Sequence, residues 1–292
     1  MKPSQGVGAR LPRKEDDRFL RGRGQYVADI RLQGMKDVAF LRSPIAHARL
    51  HGVVIPDDQK HVSFSAADLA GVKAIRAVSA LPGFKISEQP ALAQNKIRQV
   101  GELIAMCVAD TRAKAEDIVA NIRFEADELP AVHDMIDARR QGSALVHEEW
   151  GDNIFLETFV DTNFDSVKDA PIKVTREIRT ARQSMAPIEG RGVIASWDNR
   201  LGQLTLYTAC QMPHIVRTGL SECLGLDEGQ VHVISPDVGG GFGYKGILLP
   251  EEVCLGWLAM RCGHPVRWIE DRRESLTAGA NSSAPAHTRA VY

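Results

Sequence analysis

The stretch SPDVGGGFGYKG, residues 235–246, constrains this chain more than any other. Five glycines fall within eight positions, and one large aromatic, Phe242, stands among them. Glycine loses more backbone entropy on folding than any other residue, so such a run weakens a helix or a strand. It belongs in a loop that turns through left-handed conformations, or one against which another body lies close to the main chain.

Three ligand readings can be compared. An ATP phosphate loop requires GxxxxGK[ST]; here Tyr244 precedes Lys245 and Gly246 follows it, so the pattern fails at two positions. A dinucleotide fingerprint fares better, because Gly241, Gly243 and Gly246 match GxGxxG and Glu270 lies where a ribose-binding acid is expected. Such a loop, however, runs straight into its helix, whereas Ile247, Leu248 and Leu249 intervene before Pro250. The third reading is a loop that meets a flat, polar cofactor with main-chain N–H groups, using Phe242 as a wall. A tight turn touching only protein is the structural alternative.

A chain of 292 residues has room for about two domains. Its net charge of -1 gives no global field favouring nucleic acid. The basic exception is the arm at residues 1–20, read as solvated. The five cysteines, Cys107, Cys210, Cys223, Cys254 and Cys262, form no CxxC, so this chain alone supplies neither a zinc nor an iron–sulfur site. They read as reduced, mostly buried thiols of a cytoplasmic protein. No apolar run approaches the ~20 residues needed to span a membrane.

The pattern along the chain is α+β. Residues 25–30, 37–43 and 48–56 read as strands, 64–72 as a short helix capped by Ser65, and 97–110 as two buried strands around Gly101. A helix follows at 111–122 and a strand at 123–132. The polar stretch 137–153 reads as a linker. Strands are then expected at 155–164, 172–182, 191–198 and 203–210, forming an antiparallel sheet with one wet face. A helix begins near Pro213, a strand covers 230–237, and a second helix runs from Pro250 to Cys262, with Glu251 and Glu252 at its positive end and Gly263 beyond it. Residues after Asn281 show no clear period.

Several stretches together carry a resemblance. GARLPRKEDDRFLRGRGQYVADI, AFLRSPIAHARL, NKIRQVGELIAMCVADTRAKAEDIVANIRFEADELPAV, RQSMAPIEGRGVIASWD, LTLYTACQMPHIVR, SPDVGGGFGYK and HPVRWIEDRRESL follow one another as they do in the molybdenum-binding large subunit of the xanthine dehydrogenase / aldehyde oxidase family. The chain resembles the carbon-monoxide-dehydrogenase-like branch most. The resemblance implies an α/β hammerhead domain over residues 21–136 and, over 154–292, the first part of a molybdopterin-binding domain. It implies a molybdenum–molybdopterin cofactor, often carried in bacteria as the cytosine dinucleotide. Gln211 matches the glutamine whose amide bonds an oxo ligand of molybdenum. Gly240, Gly241, Phe242 and Gly243 match the segment lying against the pterin. The activity implied is hydroxylation of an aldehyde, an N-heterocycle or a similar small substrate with oxygen from water. Electrons would leave to a 2Fe-2S small subunit and an FAD-binding medium subunit.

Two departures qualify this. Purine-hydroxylating members carry a glutamate after the loop lysine, where this chain has Gly246. The family's general base lies near the far end of the large subunit, beyond residue 292, so no catalytic residue is assigned here. Glu189 reads as structural, paired with Arg191. His214 reads as a surface or core histidine, Cys210 as a buried thiol at a strand end, and Cys254 and Cys262 as core positions of one helix. Two functions follow: part of an enzyme, completed by a C-terminal half-subunit, or a truncated, silent fragment. A half-built domain leaves its core face open. The isolated chain is therefore expected to associate in size-exclusion chromatography, and a monodisperse, highly stable monomer would count against an incomplete domain.

Overall fold

The computed structural model describes residues 6–159, 171–172, 174–179, 184–278 and 287–291. In chain order the strands are β1 (Lys36–Arg42), β2 (Ala48–Val54), β3 (Ser63–Ser65), β4 (Ile75–Ala77), β5 (Ser87–Gln89), β6 (Lys96–Ile97), β7 (Leu103–Ala109), β8 (Arg123–Glu128), β9 (Thr175–Arg179), β10 (Gly192–Asp198), β11 (Gln203–Thr208), β12 (Val231–Ile234), β13 (Val266–Ile269) and β14 (His287–Val291). The helices are α1 (Asp16–Leu20), α2 (Arg112–Val119), α3 (Pro213–Leu224), α4 (Pro250–Cys262) and α5 (Arg272–Thr277).

The fold is organised by one seven-stranded sheet in the order β12-β11-β10-β13-β1-β7-β3. Strands from both halves of the chain meet at the parallel β1–β13 pair, where Asp37 lies opposite Arg267. The Arg267 guanidinium donates to both Asp37 carboxylate oxygens, at 2.7 and 3.1 Å, and holds the seam. The expected antiparallel pairing of 191–198 with 203–210 is present as β10–β11, whereas β9, within the expected strand 172–182, pairs with β14 outside this sheet, and β12 joins β11 in parallel. The wet face is absent at the sheet's centre. Alternation sends Val193 and Ala195 of β10 into the core under α3 and α4. Ile194 points the other way, into a second cluster with Val27, Ile30 and Ala209. The N-terminal segment supplies that cover. For this purpose 25–30 is not a strand but a single 3-10 turn, Val27–Asp29, closed by the Tyr26 N–H donating to Asp29. Farther along, α2 covers Ala39 and Cys107 with Ala115 and Val119.

Other expectations change with tertiary context. The Ser65 helix is one 3-10 turn, Ala66–Asp68. The stretch read as a linker is pinned: the Lys96 ammonium donates to the carbonyls of Leu145 and Val146 and to Glu148. The described part of the expected strand at 155–164, residues 155–159, is not a strand, and the remainder lies outside the described residues. Within the stretch after Asn281, the described residues 287–291 form β14, which pairs antiparallel with β9. The basic arm contributes α1, from which Arg18 forms a two-pronged ion pair with Asp237.

The first turn of α4 is the largest surprise. Acidic residues at a helix start usually face solvent, yet Glu251 and Glu252 are both buried. Burial raises Glu251, but Arg191 and Arg42 outweigh it and hold the carboxyl at about 2. Among the described residues no guanidinium donates to Glu252, and the Arg191 charge is only a minor influence on it. Glu252 accepts from the Thr208 hydroxyl at 2.6 Å and from the Leu249 N–H at 2.9 Å, and burial pushes it up to about 7. Its folded pKa lies above the unfolded value of 4.5. This contribution to stability is therefore complete below pH 4.5 and is lost as pH rises towards 7, by roughly 3 kcal/mol. Urea midpoints measured across that window should fall for the native chain and stay flat for Glu252→Gln.

Candidate functional site

The glycine loop and Gln211 come together because their strands do. β11 and β12 are parallel neighbours, and both segments leave the same, C-terminal, edge of the sheet. In open sheets with parallel strands this edge is the usual place for a ligand. Gln211 sits in the short connection from β11 to α3, whose Pro213 occupies the first helical turn. The loop runs from Ser235 to Leu249, with α4 beginning only at Pro250.

Each glycine of the triplet has a separate reason. A Cβ on Gly239 would lie 2.5 Å from the Cβ of Glu189. Gly240 has φ +99 and Gly243 φ +84, which L side chains rarely adopt. A Cβ on Gly241 would lie 2.5 Å from Cδ of Gln211. Phe242 is itself left-handed at φ +52, and the residue is 68% exposed. Such a conformation for a bulky residue persists only where the surroundings impose it.

The loop's hydrogen bonds explain that imposition. Glu189 Oε2 accepts from the Gly239 N–H at 2.7 Å, and the Glu189 N–H donates back to the Gly239 carbonyl. Gln211 Oε1 accepts from the Gly243 N–H at 3.0 Å, while the Gln211 N–H donates to the Lys245 carbonyl. Between these two pins, the N–H groups of Gly240, Gly241 and Phe242 donate to nothing among the described residues. Since the Gln211 amide uses its oxygen on Gly243, its Nε2 is also uncommitted there. The result is a row of main-chain donors beside a side-chain amide donor, with no side-chain bulk at 240 or 241. It suits a planar ligand rich in acceptors.

Behind the loop lies a charged core. Arg191 donates to Glu270 Oε1 at 2.8 Å and to both oxygens of Glu251, and the Tyr244 hydroxyl donates to Glu270 at 2.7 Å. Burial raises the Tyr244 phenol to about 12 despite the nearby guanidinium. These contacts correct one expectation. Arg191 is taken by the two carboxylates buried with it, so Glu189 does not pair with it; the cation within reach of Glu189 is Lys245, at 2.8 Å. Sequence reasoning missed the Lys245 partnership, which spans 56 positions. The dinucleotide reading also falls. Glu270 is engaged in the core, and three residues separate Gly246 from the start of α4.

The remaining candidates offer no further ligand to this constellation. His214 is exposed on α3 and makes no hydrogen bond to the loop. Burial pushes the Cys210 thiol to about 11, which keeps it protonated, and its carbonyl accepts from Ser235. All five cysteines are free; Cys254 is buried and Cys262 partly so. Among the described residues no group of His, Cys, Asp or Glu could hold a metal ion by itself, and no helix is long and apolar enough to cross a membrane.

Two mixed α/β units and a glycine cradle at a sheet edge define a cofactor-binding architecture, and the sequence comparisons say which. Residues 21–130 match the family described as aldehyde oxidase and xanthine dehydrogenase, a/b hammerhead domain, and residues 146–290 match the molybdopterin cofactor-binding domain. The chain belongs to the xanthine dehydrogenase / aldehyde oxidase family of molybdopterin-binding large subunits, and it corresponds to their N-terminal part. The second match extends through the stretch that looked patternless after Asn281. The nicotine 6-hydroxylase large subunit of Paenarthrobacter nicotinovorans is 36% identical over 94% of this chain and 35% of its own length. The carbon monoxide dehydrogenase large chain of Hydrogenophaga pseudoflava is 34% identical over 94% of this chain and 36% of its own. The crystal structure of quinoline 2-oxidoreductase from Pseudomonas putida 86 superposes with a TM-score of 0.88 at 38% identity, covering 94% of this chain and 36% of that one. The chain thus spans about a third of the length of these relatives.

The loop geometry makes a direct prediction. Gly241→Ala should displace the Gln211 amide from Gly243 without unfolding the chain. Loss of one hydrogen bond, about 1 kcal/mol, should speed exchange at the Gly243 amide roughly fivefold and lower Tm by about 2–4 °C. Unchanged exchange at Gly243 would show that the amide does not pin the loop.

Proposed function

We propose that this chain is the part of a molybdenum hydroxylase large subunit that cradles the pterin of a molybdenum cofactor. The observation carrying the reading is the row of uncommitted N–H groups at Gly240, Gly241 and Phe242 beside the free donor end of Gln211. The fit to the group is good. Pterin rings and their attached phosphates are rich in acceptors, and a Cβ at position 241 would fill the space next to the amide. Gly240, Gly241, Phe242 and Gly243 would lie along the pterin, and Gln211 would donate to an oxo ligand without adding charge. When bound, the molybdenum centre would supply the two-electron oxidation and oxygen transfer.

This chain's own residues bind and orient. Phe242, largely exposed, would form one wall of the pocket. Glu189 serves no proton-transfer role in this reading, because its carboxylate is committed to Lys245 and the Gly239 N–H. The general base comes from polypeptide matching the remainder of the relatives' large subunits. Exposed apolar residues on the loop (Phe242 and Ile247) and beside Glu189 and Gln211 in the chain (Ile188, Met212 and Ile215) favour such a covering segment. Gly246 removes the carboxylate that would suit a purine. The names of the nicotine and quinoline enzymes favour an aromatic N-heterocycle as substrate over an aldehyde or carbon monoxide. We further place the cofactor in its cytosine dinucleotide form, the electron acceptors on 2Fe-2S and FAD subunits, and the assembly in the cytoplasm, where five free thiols stay reduced.

The test is metal and pterin content of the chain purified from a molybdenum-replete bacterial host, alone and together with polypeptide that supplies the region matching the remainder of the relatives' large subunits. About one molybdenum and one pterin per chain is expected in the second preparation. Neither in both preparations would overturn the reading and leave a silent relic of the fold.

A further inference from the structure

We propose that Glu189 and Lys245 form a positioning pair that holds the glycine loop in its cofactor-receiving shape before any cofactor arrives, an inference that rests on the proposed cradle. Glu189 Oε2 serves two donors at once, the Gly239 N–H at 2.7 Å and the Lys245 ammonium at 2.8 Å. Gly239 precedes the free N–H row and Lys245 follows it, so one carboxylate ties both flanks of the loop together. The Gln211 amide makes the inner tie at Gly243.

The chemistry of the pair matches that task. Lys245 is only 1% exposed, although lysine is almost never fully buried without a partner. Burial lowers its pKa, and the Glu189 carboxylate opposes that loss of charge. A buried ammonium facing one carboxylate is directional, because either partner left alone is an uncompensated charge. The segment carrying Glu189 is itself fixed two residues later, where Arg191 is locked to Glu270 and Glu251. Lys245 is fixed from the other side by Tyr244, whose hydroxyl donates to Glu270. The loop is thus strung between two anchored residues. This accounts for the left-handed Phe242, a conformation the residue would not adopt unaided.

Four versions of the full chain separate positioning from bulk: Glu189→Ala, Lys245→Met, the double variant Glu189→Gln/Lys245→Met, and the native sequence. Two readouts are taken, amide exchange at Gly239 and Gly243 in the cofactor-free chain, and molybdenum and pterin content after expression with polypeptide that supplies the region matching the remainder of the relatives' large subunits. Each single variant is expected to speed exchange at Gly239 at least tenfold while amides of β10 and β13 keep their native rates. Each is expected to lose at least nine-tenths of the cofactor. The uncharged double variant keeps an oxygen acceptor for Gly239 and leaves no stranded charge, so it should recover to within about threefold of native in both readouts. Native-like exchange and cofactor content in the single variants would overturn the proposal. So would a double variant no better than the singles, which is what a purely space-filling role predicts. If the native chain carries no cofactor at all, the cradle reading fails, while the exchange arm still decides whether the pair shapes the loop.

Discussion

One buried guanidinium organises this molecule. Arg191 lies at the entrance to β10 and faces Glu270 at the end of β13 and Glu251 at the start of α4. Arg42, at the end of β1, reaches the same Glu251 and also Glu274 of α5. Two arginines and three carboxylates thus connect strands from both halves of the chain with two helices. Burying these charges is expensive, and each is tolerated only because the others are present. Their placement also decides what the glycine loop can do, since Tyr244 enters the network and ties the loop to it.

The loop then works as two surfaces. Its inner side faces protein: Glu189 crowds Gly239, and the Gln211 amide crowds Gly241. Its outer side presents three main-chain donors and the exposed Phe242. The lack of side chains therefore serves close packing within the chain as well as close approach from outside. The two demands fall on neighbouring residues, which is why so dense a run of glycine is needed.

Much of the regular structure was legible from local signals. Pro250 and Gly263 bracket α4 as their conformational preferences dictate, and β1, β2, β7, β10 and β11 lie where alternation or apolar runs placed them. That 239–246 is a loop was also legible from its glycine density, and the structure sets Gln211 against it. What was hidden depends on distant partners. Nothing near Val27 says that it must cover Ile194, so the turn there read as a strand. Glu251 and Glu252 looked like ordinary acids of a first helical turn, because the Arg191 and Arg42 partners of Glu251 lie 60 and 209 positions away and the Thr208 partner of Glu252 lies 44 away. The pairing of Glu189 with Lys245 rather than Arg191 was invisible for the same reason. Local charge spacing cannot tell which cation is already taken.

The seam between β1 and β13 has a consequence for how the chain is made. Asp37 and Arg267 are 230 residues apart in sequence. A ribosome extends its product N-terminus first, at about 5–20 residues per second. The early strands therefore emerge and pair among themselves while the edge of β1 that β13 will occupy stays open for roughly ten seconds or more. An unpaired edge is a template for any other extended strand, including one from a neighbouring nascent copy. The layout that lets both halves share one sheet thus leaves one strand edge of β1 without its native partner until β13 has been made.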